Sequence, residues 1–258
     1  MVSTISMAGM VLQIVFAVCL PIAVCIYFHK REAFQWKPLM VGMVIFVVFA
    51  LVLEKLLHVY MLQLNPQTAQ WLSIPWLFAV YGALAAGVFE ELGRYIGFRV
   101  FLRRADQRKD GIAYGIGHGG IETVVLGGVF AIQSLVFAIM LNNGTLEPML
   151  AGQAPPEAIA QLKSQLTGTP SYMIALVMWE RGVALLLQIA LSLVVLHSIR
   201  SRKPVFLLYA IVLHAAINFL PAMYQAKAVS IWVAEAVLVL VIPVIWYIFR
   251  KSKSWWSA

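Results

Sequence analysis

The chain has 258 residues, of which 62% are hydrophobic and only 12% are charged, and its mean hydropathy is +0.87. In soluble domains about a quarter of all residues are charged. The composition therefore excludes an ordinary soluble protein and indicates a multi-pass protein of the cell membrane. The net charge is +8, but the basic residues lie in short segments between apolar runs. This placement argues for a topology signal at the lipid bilayer and against a nucleic acid partner.

Seven apolar runs are each long enough to cross a bilayer as an α-helix. They cover about residues 5–28, 39–63, 73–102, 113–141, 171–199, 204–220 and 229–249. The sixth run is the shortest, and Pro221 is predicted to end it because proline breaks the interior of a helix. We therefore predict an all-α, polytopic bundle of transmembrane helices that forms a single integral membrane domain over residues 1–258.

Basic residues cluster after the first, third, fifth and seventh spans, whereas the N-terminal tail has none and the other connections have almost none. Because cytoplasmic loops carry the excess of Lys and Arg, this alternation predicts an N-terminus outside and a C-terminus inside. The long connection at about residues 142–170 is then extracytoplasmic. Within it, Glu157 to Leu166 can form an amphipathic helix at the outer surface or remain a solvated loop.

Ionisable side chains inside the spans are the candidates for chemistry, since each costs roughly 2.5 to 3.5 kcal/mol in hydrocarbon unless it faces a partner or water. Three polar pairs have their members four residues apart and thus on one helical face. They are Glu90 with Arg94, His118 with Glu122, and His214 with Asn218, and Glu91 lies beside the first pair. At about 1.5 Å per residue, the carboxylates and imidazoles lie roughly 8 to 17 Å from the cytoplasmic ends of their spans. We therefore expect one site within the membrane.

Each pair also has a structural interpretation. Glu90 with Arg94 can be a neutralising ion pair, and His214 with Asn218 can be a hydrogen-bonding pair between helices. Three pairs at one depth favour a chemical site instead. In such a site a carboxylate beside an imidazole takes a proton from water and returns it to a leaving amine.

Two further roles are open to the same side chains. Asn218 or a second imidazole can stabilise a developing oxyanion. A set of two imidazoles and one carboxylate is also a recognised zinc set with a position open to water. His118, Glu122 and His214 would supply that set.

Other polar positions carry weaker signals. Glu54, Lys55 and His58 in the second span, and Glu180 and Arg181 in the fifth, can form ion pairs or gate a substrate, and ion pairing is the favoured interpretation. The segment Gly115–Gly120 matches G-x-G-x-x-G formally, but no strand precedes it. We expect its glycines to let helices approach closely or to leave space for a substrate backbone. The H-E-x-x-H motif of metalloproteases is absent from the sequence.

The ordered motifs resemble those of a known family. They are Glu90-Glu91-x-x-Arg94, His118-x-x-x-Glu122 and His214-x-x-x-Asn218 on three membrane helices. In this order they resemble the YhfC family of intramembrane metalloproteases, which is related to the PrsW and CAAX-processing proteases. The resemblance covers essentially the whole chain.

The resemblance implies an intramembrane endopeptidase whose substrate is a membrane protein or peptide. It implies that Glu90 or Glu91 acts with His118 to activate water, and that His214 and Asn218 bind the oxyanion or a metal. Arg94 and Glu122 would have supporting roles. A zinc-dependent and a metal-free glutamic mechanism both stay open, and no organic cofactor is implied.

A different class of function is a non-catalytic scaffold or a proton-coupled carrier that uses the same buried Glu and His residues. Carriers often contain internal repeats or paired broken helices. We find neither in the sequence, so the peptidase is the favoured hypothesis.

Overall fold

The computed structural model describes residues 1–256, and all regular structure in this range is helical. The described residues form ten helices: α1 (Thr4–Glu32), α2 (Trp36–Leu64), α3 (Pro66–Trp71), α4 (Pro75–Phe101), α5 (Arg108–Asn142), α6 (Leu146–Leu150), α7 (Pro156–Gly168), α8 (Tyr172–Ser201), α9 (Val205–Gln225) and α10 (Ile231–Trp255). Short π-helical stretches lie within α2, α4 and α5. Residues 1–256 contain no strand, so the predicted all-α class is confirmed.

Seven of the helices in residues 1–256 are long and apolar enough to cross a membrane, namely α1, α2, α4, α5, α8, α9 and α10. Large apolar side chains such as Leu240 on α10 and Val212 on α9 are exposed on these helices. Lipid tolerates such a surface, whereas water would penalise it. The predicted number of spans and the multi-pass membrane location are confirmed.

The sixth span is longer than predicted. α9 continues through Pro221 and ends at Gln225, so the prediction that this proline ends the helix is wrong. Proline removes one backbone donor, but in membrane helices neighbouring groups satisfy the freed carbonyl and the helix can continue. Pro21 in α1 and Pro243 in α10 also lie inside helices. Proline is therefore a weak end signal in this chain.

The connection between α5 and α8 contains the two short helices α6 and α7. Of the two alternatives for Glu157 to Leu166, the structure has the helix: these residues are part of α7, which begins with a proline in its first turn. Leu166 is buried in a small apolar cluster with Val2 and Leu146. One side of α7 is thus packed, and its location at the outer membrane surface stays a prediction.

The chain divides into two compact units. The first unit comprises Met1–Ile22 and Glu122–Gly182, and the second comprises Ala23–Ile121 and the chain from Val183 onward. In the first unit, Asn142 Oδ1 accepts the Val2 N–H at 2.7 Å, and Asn142 Nδ2 donates to the Val2 carbonyl at 2.9 Å. The single membrane domain stays a prediction.

The second unit has the C-terminal half of α8 in its core. Ile189, Leu191, Leu193 and Val195 have no exposed surface. Of the most apolar 18-residue stretch of α8, 72% is buried, against at most 39% in the other spans. A polar side chain on a helix that is buried on all sides has no contact with lipid. The polar residues of this half of α8 therefore belong to the interior.

Two glycines allow the helices of the second unit to approach closely. A Cβ on Gly115 of α5 would lie 2.4 Å from the Ile189 Cα on α8. A Cβ on Gly87 of α4 would lie 2.8 Å from the Ile211 carbonyl oxygen on α9. A larger residue at either position would have to displace a backbone. The prediction that glycines in Gly115–Gly120 mediate close helix contact is confirmed.

Candidate active site

α4 places two carboxylates and a guanidinium in the interior of the second unit. Glu91 and Arg94 have no exposed surface, and Glu90 is 8% exposed. Leu92 and Ile96 on the same helix are exposed instead. Charged groups in a dry interior are tolerated only when they are paired and hydrogen-bonded. All three side chains have such partners.

Glu90 contacts side chains from three other helices. Its Oε2 is hydrogen-bonded to His118 Nε2 on α5 at 2.9 Å. The same oxygen accepts a hydrogen bond from Gln188 Nε2 on α8 at 2.9 Å. Its Oε1 lies 3.9 Å from His214 Nε2 on α9. Glu90 therefore joins both imidazoles to one carboxylate.

Glu91 binds the second imidazole and is neutralised by Arg94. Its Oε1 is hydrogen-bonded to His214 Nδ1 at 2.7 Å, and its Oε2 forms an ion pair with Arg94 Nε at 3.1 Å. The structure thus pairs Arg94 with Glu91, where the spacing had suggested Glu90. Glu90, Glu91, His118 and His214 are called the central cluster below.

The guanidinium of Arg94 is held by α8. Its Nη1 donates to the Gln188 carbonyl oxygen and to Ser192 Oγ, both at 2.6 Å, and its Nη2 donates to Gln188 Oε1. Sequence reasoning missed Gln188 and Ser192. Their spacing of four residues in an apolar helix places both on one helical face and could have indicated a polar contact. Both side chains are neutral, however, so a search for ionisable groups does not find them.

Aromatic rings enclose His118. Its ring packs edge-on against Phe46 at a centroid distance of 5.1 Å and is parallel to Tyr114 at 6.3 Å. His118 has no exposed surface, and its Nδ1 has no hydrogen-bond partner within residues 1–256. These contacts orient the ring so that Nε2 meets Glu90.

Asn218 is not connected to the central cluster by a hydrogen bond. It is half-buried on α9, and its side chain makes no hydrogen bond to any described residue. Of the two residues, His214 makes a hydrogen bond between helices, through its Nδ1 to Glu91 on α4. The oxyanion role of Asn218 stays a prediction without geometric support.

Glu122 lies one helical turn after His118 on α5 and is also buried. In the first unit its Oε1 accepts a hydrogen bond from Arg181 Nη1 at 3.0 Å. Glu90 and His118 in the second unit are a buried carboxylate and a buried imidazole of the kind that can bind a metal ion, and Glu122 in the first unit stays a predicted ligand. His214 as a metal ligand stays a prediction, since its Nδ1 is engaged by Glu91.

Glu54, His58, Glu180 and Arg181 form the side-chain pairs that were expected for them. His58 Nε2 lies 3.1 Å from Glu54 Oε1, and His58 Nδ1 is hydrogen-bonded to the Tyr81 hydroxyl at 2.7 Å. Arg181 pairs with Glu180 as well as with Glu122. These contacts account for the charges without a catalytic role.

The central cluster has the parts needed for proton transfer. Each of its imidazoles touches a carboxylate through a single hydrogen bond, so a proton can move between the two groups. Peptide hydrolysis, water activation in general and proton relay all use such contacts.

Comparison with known proteins favours one of these reactions. A family model described as YhfC intramembrane metalloprotease matches residues 16–239, a range that includes the entire central cluster. The uncharacterized membrane protein YhfC of Bacillus subtilis (strain 168) is 38% identical to the chain over 257 residues. That alignment covers 97% of this chain and 98% of the relative. No solved structure matches the chain.

Proposed function

Because the chain belongs to the YhfC intramembrane metalloprotease family, we propose that it is an endopeptidase that hydrolyses a peptide bond of a membrane-associated substrate. The observation that carries the proposal is the buried contact of 2.9 Å between Glu90 Oε2 and His118 Nε2. A carboxylate and an imidazole in contact can accept a proton from water and later release it. Peptide hydrolysis requires both steps.

In the proposed reaction, Glu90 accepts a proton from a water molecule while the water oxygen attacks the carbonyl carbon of the scissile peptide. His118 shares this proton through its hydrogen bond to the same carboxylate. The proton is then delivered to the leaving nitrogen as the carbon–nitrogen bond breaks. The products are a carboxylic acid and an amine, so the atoms of water are divided between them.

Glu91 and Arg94 position the second imidazole. Glu91 holds His214 through Nδ1, which leaves Nε2 facing Glu90 Oε1 at 3.9 Å. When both ring nitrogens of His214 carry a hydrogen, Nδ1 donates to Glu91 and Nε2 can donate to a carbonyl oxygen that gains negative charge in the transition state. Arg94 fixes the Glu91 carboxylate through their ion pair, so that His214 does not turn away.

Within the second unit, the residues that would hold a metal ion are Glu90 and His118, and Glu122 as a further ligand is the expectation from the sequence. Catalytic zinc sites combine imidazole and carboxylate ligands and keep one position open, and these donors fit that pattern. A bound zinc ion would act as a Lewis acid toward the peptide carbonyl or water. Glu90 has two oxygens, so it can contribute one to the ligand set and keep the other for the proton.

The test compares membranes from cells that produce the wild type, Glu90→Gln or His118→Ala by profiling the N-termini of membrane peptides. We expect new N-termini in or beside the spans of other membrane proteins only with the wild type. Either variant should lower their yield at least about 100-fold, since general acid–base catalysis contributes about 10²- to 10⁴-fold. Gln and Ala cannot accept the proton.

The matched control is Glu54→Gln, because Glu54 is as buried as Glu90 and also contacts a histidine, but lies outside the central cluster. It should cleave like the wild type. Identical profiles from wild type, Glu90→Gln and His118→Ala would refute the endopeptidase. Zinc analysis of purified wild type and His118→Ala decides the mechanism: zinc only in the wild type supports the metal site, and its absence from both supports metal-free catalysis.

A further inference from the structure

A cleft in the second unit lies away from the residues used above. It is formed by the start of α2, the end of α4 and the segment that leads into α5, and it has a volume of about 570 Å³. This volume falls within the range of about 300 to 1,000 Å³ that is typical of small-molecule sites. Since all three helices are membrane spans, the cleft lies where spans end and polar loops begin.

The cleft is strongly basic. Its lining includes the side chains Lys37, Arg103, Arg104 and Lys109 and a single carboxylate, Asp110. Within residues 1–256, none of the four cations forms an ion pair. The four therefore leave a net positive charge in a concave site.

The charged residues next to the cleft cations are already engaged within the chain. Arg108, next to Lys109, is ion-paired with Glu32 at 2.5 Å and is hydrogen-bonded to Ser252. Asp110 accepts the Gln107 N–H at 3.0 Å, so its carboxylate is partly engaged by the backbone. The cations that line the cleft are thus available to an anion from outside the chain.

One wall of the cleft is apolar. Val100 and Phe101, the last residues of α4, line it and are about half exposed. A small inorganic anion would leave this wall uncovered, whereas a ligand with an anionic head and an apolar chain would cover both parts. Basic pockets at the ends of membrane helices bind phosphate headgroups through charge-assisted hydrogen bonds.

We propose that this cleft binds the phosphate headgroup of an anionic phospholipid, with an acyl chain along Val100 and Phe101. Arg103 and Arg104 supply the donors for the phosphate oxygens, and Lys37 and Lys109 add charge from the facing helices. The site is independent of the proposed peptidase activity. Lipid bound here would anchor the ends of three spans at the membrane surface.

The test uses the full-length protein reconstituted in phosphatidylcholine nanodiscs with a minority of phosphatidylglycerol. Lipids that remain bound after gentle extraction are counted by native mass spectrometry. We expect phosphatidylglycerol to make up a larger fraction of the lipids bound to the wild type than of the lipids in the nanodisc. Arg103→Gln with Arg104→Gln should weaken this preference about 30-fold, since each cation near the surface contributes about fivefold.

The matched control is Lys251→Gln with Lys253→Gln, which removes two exposed cations from the end of α10 and should leave the preference unchanged. Lys37→Gln with Lys109→Gln provides a second cleft variant if the arginine pair does not fold. If the control and the cleft variants lost the preference for phosphatidylglycerol equally, the proposal would be overturned, because the preference would then depend on the general surface charge of the protein. Displacement of the lipid by inorganic phosphate at equal concentration would also overturn it, in favour of a free phosphate site.

Discussion

At the scale of single residues, the buried charges of the second unit are compensated contact by contact. Arg94 faces Glu91 on its own helix, and α8 supplies three acceptors to the remaining guanidinium donors. Losing one partner of a buried ion pair typically costs about 3 to 5 kcal/mol because the other charge is left unpaired. Gln188 is notable because it contacts both Arg94 and Glu90, and so links the compensating charge to the proposed proton acceptor.

Gln188→Met tests this link. Methionine keeps the volume of the side chain but removes the donor to Glu90 and one acceptor of Arg94. If the chain is a peptidase, cleavage should fall about 10- to 100-fold, as is usual when an outer partner of a functional group is lost. The rate is measured on a substrate found by N-terminal profiling.

Gln13→Met is the control, since Gln13 is a membrane glutamine that donates to the Gly127 carbonyl in the first unit. Arg94 retains the Gln188 backbone carbonyl and Ser192 in the test variant, so folded protein should be recovered. A Gln188→Met protein that cleaves at the wild-type rate would show that Gln188 does not position Glu90.

At the scale of the helices, close packing brings the polar side chains into contact. α5 passes α8 with Gly115 against the Ile189 backbone, and α4 passes α9 with Gly87 against the Ile211 carbonyl. Small residues at such crossings allow van der Waals contact between backbones, which stabilises membrane bundles. The same approach lets short hydrogen bonds form between side chains of four different helices.

Gly115→Ala should therefore destabilise the folded protein. The added Cβ would lie 2.4 Å from the Ile189 Cα, so α5 and α8 must move apart. Overpacking of this kind costs about 1 to 3 kcal/mol. The free energy of unfolding is measured in mixed detergent micelles with increasing denaturing detergent.

Gly182→Ala is the matched control on α8, because no atom lies within 4 Å of an added Cβ there. Alanine favours a helix over glycine by up to about 1 kcal/mol, so this variant should be as stable as the wild type or more stable. Equal stability of the Gly115→Ala and Gly182→Ala proteins would contradict the close contact of α5 and α8.

At the scale of the whole molecule, the odd number of candidate spans within residues 1–256 predicts that the two ends of the chain lie on opposite sides of the membrane. The alternation of basic loops predicts which side each end occupies. The Arg103–Lys109 segment, and with it the basic cleft, then belongs to the cytoplasmic side.

Cysteine labelling tests this orientation. Ser3→Cys and Ser254→Cys are made separately in a background in which Cys19 and Cys25 are replaced by serine, and both new positions are exposed. A membrane-impermeant maleimide added to intact cells should label only Ser3→Cys, and lysis should make Ser254→Cys reactive. Labelling of Ser254→Cys in intact cells would reverse the predicted topology.

The amino-acid sequence by itself determined the all-α class, the seven spans and the membrane location. These properties follow from hydropathy over about 20 residues, which does not depend on how the helices pack. It also identified Glu90, Glu91, His118 and His214 as polar groups that need partners inside the membrane, since the cost of burying a charge is a property of the residue and its span.

Only the tertiary structure decided which groups meet. Spacing along one helix placed Glu90 beside Arg94 and His214 beside Asn218. In the structure, Glu91 forms the ion pair with Arg94 and the hydrogen bond with His214. Gln188 became visible only through its contacts on two other helices. Such pairings depend on the rotation and depth of each helix relative to its neighbours, and these are set by packing at residues such as glycine that carry no polar signal.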